Sequence, residues 1–347
     1  MFYIFFIKET SIIKFIFSLQ SDDEFDDESD ADDEYKNGDK STDKSEDCRN
    51  NYVLSVGLAK AGFKKKRQNR VRYELNIDRF KAFYGVGPKI VRIIFDDIRG
   101  DEFPQAKLKD ILLAFNWLKL YDTEHVLAGR WGYCEDNIRC KVKEYVRRIQ
   151  FLKHKKIVFG GFDENEVFIV SVDGVNFRTQ EFRLDPSSKW YDHKTKSAGL
   201  TYELALAIRR QALVWINGPF PAGAKNDGSI FRGGTKKMKI DEWDKSSLYF
   251  KMPPNTRAVA DSGYAGVSKV TTTHQKHSKS LKKFLTRAKQ RQESFHTRLK
   301  SFHILEDRFR HGTSTKNKMD LHKMCVEAVC VIVQYDIENG NPIFETC

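Results

Sequence analysis

Cysteine is scarce and badly spaced for either of its structural uses. The 347 residues contain six, Cys48, Cys134, Cys140, Cys325, Cys330 and Cys347, and no C-x-x-C pair. That argues against a disulfide scaffold and against a zinc ribbon or C2H2 finger. Free thiols packed as small hydrophobes are expected instead. Long apolar runs are also lacking: nothing approaches the roughly 18 residues that a membrane-spanning helix needs, so no membrane partner is expected. Residues 1–17 are apolar but broken by Lys8-Glu9-Thr10. They have no basic leading region and no small-residue cleavage site, so they fit a secretory signal badly.

What is present is aromatic and basic. Hydrophobic residues make up 40% of the chain and Phe alone numbers 26, enough for sizeable cores and, at this length, for two domains. The net charge of +12 hides a split. Residues 21–48 hold 14 acids and 3 lysines, a net of −11, which leaves +23 on the remainder. A segment this acidic cannot bury enough apolar surface to offset its ordering entropy and reads as disordered. A body at +23 points toward nucleic acid, because solubility alone does not need it. Residues 64–72, KKKRQNRVR, add a basic cluster suited to DNA phosphates or to nuclear import.

The expected organisation is an apolar then acidic extension over 1–50, a helical region over 51–160 and an α/β region over 161–347. From 77 to about 156, apolar residues recur three and four apart. Two stretches resemble each other, Gly85-Val86-Gly87-Pro88-Lys89-Ile90-Val91-Arg92 and Gly132-Tyr133-Cys134-Glu135-Asp136-Asn137-Ile138-Arg139. Each has a helix ending at Gly and a second helix starting shortly after, which is a helix-turn-helix layout. Pro88 suits a first helical turn, and Glu135 and Asp136 suit the positive end of a helix dipole. Lys89 and Arg92 in the first copy, and Arg139, Lys141, Lys143, Arg147 and Arg148 in the second, are the candidate DNA contacts. An ordinary bundle with solvated basic faces is the alternative.

Beyond 160 the pattern turns to strands: EVFIVSVDG (166–174), TYELALAI (201–208), ALVWING (212–218) closed by Asn217-Gly218, and RAVADSG (257–263). Helical patterns follow at 276–310 and 319–340. Asp173 and Asp261 fall at expected strand ends, each followed closely by Gly, and Glu293 falls on the basic helix 32 residues after Asp261. Singly, each has an ordinary reading as a turn residue, a cap or an i,i+4 partner. Together, three carboxylates from separate elements suit two hard ions, Mg²⁺ or Mn²⁺, held roughly 4 Å apart for phosphoryl transfer. The same basic helix offers Lys276, Lys279, Lys282, Lys283, Arg287, Lys289 and Arg291 to DNA phosphates.

The order VDGV, ADSGYAG, RQESFHTRLKSF resembles the DDE transposases, nearest the insertion-sequence 4/5 and PIF/Harbinger groups. The resemblance covers roughly 165 to 340 and extends to WINGPFPAG (215–223), NDGSIFR (226–232), RFRHG (308–312) and VQYDIENGNPIF (333–344). It implies an RNase H-like catalytic core behind an all-α helix-turn-helix region. It also implies that Asp173, Asp261 and Glu293 bind two Mg²⁺ or Mn²⁺ ions and that the front half binds terminal inverted repeats of double-stranded DNA. Lys289 and Lys300 occupy the signature positions four before and seven after the Glu, while Thr286 stands where the signature has Tyr and His296 where related helices often carry Asn. Asp227, in NDGSIFR, is a secondary acid by the same likeness, or else a helix N-cap. Strand transfer into target DNA, a homo-oligomer and a nuclear location in a eukaryotic cell are further expectations. The alternatives are a host-adopted or decayed transposase that binds DNA without cutting it, and a structure-specific nuclease of the same fold.

Overall fold

A helix that is apolar on every side must be enclosed on every side, and one such helix sets this architecture. The computed structural model describes residues 42–100 and 103–346. The N-terminal apolar stretch and most of the acidic segment lie outside the described residues. The described residues from Asn50 onward form one compact unit. Helix α1 (Thr42–Lys60) starts inside the stretch expected to be disordered up to residue 48, so its last residues are helical.

The helical region contains α2 (Tyr73–Tyr84), α3 (Pro88–Arg99), α4 (Leu108–Leu120), α5 (Glu124–Trp131) and α6 (Glu135–Phe151). Both expected turns are present. Gly85 (φ 85°) and Gly132 (φ 68°) end α2 and α5 in the left-handed conformation that glycine adopts without a Cβ clash. Pro88 opens α3, and Glu135 and Asp136 open α6. Helix α6 buries Ile138, Val142, Tyr145, Val146 and Ile149, a single stripe, and turns its charged side outward.

The remainder is a mixed six-stranded sheet of β1 (Phe168–Arg178), β2 (Tyr191–Asp192), β3 (Ser197–Ala207), β4 (Leu213–Pro221), β5 (Arg257–Val259) and β6 (Val270–Thr271). The strand path is β2-β3-β1-β5-β6, with β4 also paired to β3. β1, β3 and β4 run antiparallel, and β5 and β6 are parallel to β1. The expected strand end at Asp173-Gly174 is corrected: β1 continues to Arg178, with Asp173 paired to Leu204 and Gly174 to Glu203. Likewise β4 does not stop at Asn217-Gly218 but runs on to Pro221. Helix α7 (Asp227–Arg232) leads from β4 toward β5. Helices α8 (Lys279–Lys300) and α9 (Thr315–Glu338) complete the unit, and the basic stretch expected to be helical as far as 310 breaks after Lys300.

Helix α9 is buried without interruption from Met324 to Tyr335. It packs on α6, on the helical side, and on β4, on the sheet side. Its polar residues are matched from both. Glu327 accepts from Lys153 Nζ and Gln150 Nε2, both at 2.6 Å. Gln334 accepts from the Leu213 amide at 2.8 Å, and His322 Nδ1 lies 2.8 Å from the Tyr202 hydroxyl. The helical region and the sheet therefore share one core. Cys325 and Cys330 are buried thiols in this helix, and burial pushes both thiol pKa values up. Among the described residues no helix is long and apolar enough to cross a membrane.

Helix α8 lies against the sheet through a buried arginine. Arg291, expected to meet DNA, is 1% exposed and donates to the carbonyls of Ala207 (3.0 Å), Ile208 (2.8 Å) and Arg210 (3.1 Å), where β3 turns toward β4. No phosphate can reach it there. Arg291→Leu should leave these carbonyls without that donor and destabilise the protein by about 3 kcal/mol, read as a lowered urea midpoint with an unchanged slope.

Candidate active site

Alternation along β1 places Ser171 and Asp173 on one face and Val172 and Gly174 on the other. Helix α8 covers the Asp173 face. Ser171 Oγ donates to Gln292 Oε1 (3.1 Å), and Gln292 Nε2 donates to the Leu204 carbonyl (2.9 Å). His296, one turn further along, has Nδ1 3.8 Å from Asp173 Oδ2. Glu293 lies between these two anchors in sequence and is exposed. β5 runs beside β1 with Val259 level with Ser171, so the chain two residues on brings Asp261 level with Asp173. The Asp261 carboxylate accepts from the Gly263 amide at 2.8 Å, which fixes the turn that follows.

Asp227 approaches from the opposite face. It is the first residue of α7. The N-cap is its neighbour Asn226, whose side chain accepts from the Ser229 amide at 2.9 Å. That corrects the alternative reading of Asp227 as a cap and leaves its carboxylate free to face the sheet. It occupies the space above Gly174, where any Cβ would collide with Asp227 Oδ1. A Cβ on Gly263 would lie 3.1 Å from Asp227 Oδ2 and 3.0 Å from Asp261 Oδ1. Both carboxylates thus crowd one point, and glycine at 174 and 263 makes the room.

The electrostatics follow from this crowding. Burial, then the Asp261 charge, raise the Asp173 pKa to about 7; Asp227 and Glu293 add to the rise and the Gly174 amide opposes it. Burial and Asp261 also raise Asp227, against a pull from Lys194. Burial, with Lys300 and Lys194, lowers His296 to about 4. The His296–Asp173 contact is therefore a neutral imidazole beside a carboxyl rather than an ion pair at neutral pH. Among the described residues no lysine or arginine stands within 4.0 Å of the Asp173, Asp227, Asp261 or Glu293 carboxylates.

Uncompensated hard oxygen donors of this kind fit Mg²⁺ or Mn²⁺ in chemistry. Among the described residues no three His, Cys, Asp or Glu side chains are already gathered as a ligand set.

The expected DNA contacts divide. Arg92 is buried, bonded to Asp96 Oδ2 (3.0 Å) and Asn50 Oδ1 (2.8 Å), so it serves the fold. Lys141 is held by Asp110 at 2.7 Å, and Arg139 by Glu124 and Asp136, each at 2.7 Å. Arg148 pairs with Glu144 and lies over the Phe103 ring. Lys89, Lys143, Arg147 and Lys300 are exposed, and Lys289 donates to Thr273 Oγ1 at 3.1 Å.

One acid escaped the sequence reading. Glu203 is 0% exposed on β3, opposite Gly174, and its Oε2 accepts from Trp215 Nε1 at 3.0 Å while Oε1 has no partner. Burial, with Asp227 adding, raises its pKa to about 8. Its position in TYELALAI, among apolar residues on both faces of a strand, was the available signal. No protein-family model, curated protein or solved structure matches this chain.

A carboxyl whose folded pKa is raised confers stability that is complete below its unfolded pKa and lost as pH rises through the folded value. For Glu203 that window runs from 4.5 to about 8. Glu203→Gln should therefore gain on the wild type as pH rises across this window, by on the order of 2–4 kcal/mol at pH 9, in melts recorded in EDTA.

Proposed function

We propose that the protein is a divalent-metal-dependent DNA endonuclease of the DDE transposase kind. The observation that carries this reading is the convergence of Asp227 and Asp261 on Gly263 from separate elements, close enough to Asp173 that both raise its pKa, with Glu293 on α8 adding to the rise. The mixed sheet, three long antiparallel strands extended by two parallel ones, supports an RNase H-like core.

Asp173, Asp261 and Glu293 would hold the two ions, with Asp227 as an additional ligand. Bound Mg²⁺ or Mn²⁺ supplies activation of an attacking oxygen and charge stabilisation of the leaving one. The chain's own part is positioning. β1 carries Asp173, the turn two residues past β5 carries Asp261, α8 carries Glu293, whose charge adds to the Asp173 rise, and neutral His296 flanks Asp173 without adding charge. Lys289 and Lys300, on either side of Glu293, would meet the phosphates of the strand being cut. Exposed Lys143 and Arg147 on α6, with Lys89 on α3, would bind the terminal inverted repeats. In the reaction, water attacks a phosphodiester phosphorus at the element end and the 3′ oxygen leaves. The freed 3′-hydroxyl would then attack a phosphorus of target DNA and displace the 3′ oxygen there, which takes up the proton, so that one phosphodiester replaces another. A homo-oligomer would bring two ends together, and in a eukaryotic cell the work would be nuclear.

The test is incubation of supercoiled plasmid carrying the flanking repeats with Mg²⁺, Mn²⁺ or EDTA. Cuts that need metal and fall at least about 100-fold in Asp261→Asn support the reading. Specific binding without cutting moves it to a host-adopted or decayed DNA-binding protein, and cutting without repeat preference to a nuclease of the same fold. A second expectation separates charge relief from ligand loss. In EDTA at pH 8, Asp173→Asn should melt above the wild type. Saturating Mn²⁺ should raise the melting temperature of the wild type alone, since a ligand held 100-fold above its Kd stabilises by about 2.7 kcal/mol.

A further inference from the structure

We propose that Gln292 is a positioning residue that sets where Glu293 stands relative to Asp173. The assignment rests on the metal-site reading above and deepens it. Helix α8 is held to the sheet by Leu285 and Ala288, both at most 1% exposed and packed with Val259 and Ile208. Apolar contact is non-directional, so these residues hold the helix down without fixing how far along the sheet it lies. A slip of one residue moves every side chain about 1.5 Å along the axis and turns it by roughly 100°. That would carry Glu293 out of range of an ion shared with Asp173.

Arg291 anchors the helix to the carbonyls where β3 turns toward β4, and Gln292 supplies the directional contact beside Asp173 itself. It is 2% exposed, and both ends of its amide are engaged. Oε1 accepts from Ser171 Oγ at 3.1 Å, and Nε2 donates to the Leu204 carbonyl at 2.9 Å. The two partners bracket Asp173: Ser171 precedes it by two residues on the same face of β1, and Leu204 is its cross-strand partner on β3. The side chain next to Glu293 is thus bonded to the hydroxyl two residues before Asp173 and to the carbonyl of its cross-strand partner. Both hydrogen bonds are buried and cannot be exchanged for water when the helix shifts, so the aligned register is strongly preferred. A hydrophobic residue of equal volume would pack as well and specify nothing.

The experiment uses the full chain as wild type, Gln292→Met, Ser171→Ala and Leu285→Ala. Leu285→Ala loosens the same helix without touching the amide bonds, so it reports what a merely structural loss does. Mn²⁺ alone is titrated calorimetrically, and plasmid nicking is followed over Mn²⁺ and DNA concentration. Gln292→Met should weaken Mn²⁺ binding roughly tenfold, as loss of a residue that orients a ligand does. Its nicking should fall in kcat with KM for DNA unchanged. Ser171→Ala, which keeps the bond to Leu204, should fall between. Leu285→Ala should keep the wild-type Mn²⁺ affinity while melting lower. Equal affinity in wild type and both Gln292→Met and Ser171→Ala overturns the assignment, as does an equal loss in Leu285→Ala. If Gln292→Met does not fold, Ser171→Ala against Leu285→Ala decides. A wild type that neither binds Mn²⁺ nor nicks removes the metal-site reading itself, and this assignment with it.

Discussion

The enclosure of helix α9 is the constraint from which the other arrangements follow. A run of buried residues from Met324 to Tyr335 leaves the helix no side to give to water. Its neighbours must be a helical layer and a sheet at once. Glu327 shows how strict this is: a carboxylate in such surroundings is tolerable only because Lys153 and Gln150 reach it from the helical side. Removal of α9 would expose apolar surface on both neighbours. The helix-turn-helix-like region is thus fixed to the sheet by a common core rather than tethered by a linker.

A second consequence concerns the two faces of the sheet. Because both are covered, by α8 on one and by α7 with the 262–264 turn on the other, acids can approach β1 from either side. Asp173 projects from one face and Asp227 approaches the other, and Asp261, two residues past the end of β5, raises the pKa of both. Covering elements also remove water, and this burial is the largest cause of the raised Asp173 and Asp227 pKa values. The same burial that steadies the fold makes a charge on either of these two acids costly.

Much of this was legible in the sequence because the signals were local. Gly85, Pro88, Gly132 and Glu135 mark turns that form within a few residues. The periodicities of α6 and α9 report burial directly. The acids Asp173 and Asp261 were visible through the glycines beside them, although Asp173 proved to be mid-strand, since pairing with β3 carries β1 onward regardless of an Asp-Gly pair. What was not legible depends on distant partners. Arg291 looked like its lysine neighbours until three carbonyls far back in the sequence claimed it. Glu203 carries no motif and matters only because β3 lies against Gly174. Arg92 likewise matched a repeat whose second member is exposed, but Asn50 and Asp96 enclose it.

The pairing of basic side chains bears on how any polyanion would be held. Arg92, Lys141, Arg139, Lys153 and Lys156 each already face a carboxylate of this chain. A cation neutralised internally displaces few counterions when a nucleic acid arrives, so the slope of log affinity against log salt should track the unpaired side chains. Each such pair removes one charge of either sign, so the +23 of the body survives the pairing and is the smallest number of cations left over. Sensitivity to ionic strength would then stay strong. The pairing decides which cations are left over, and so where on the surface a polyanion is held.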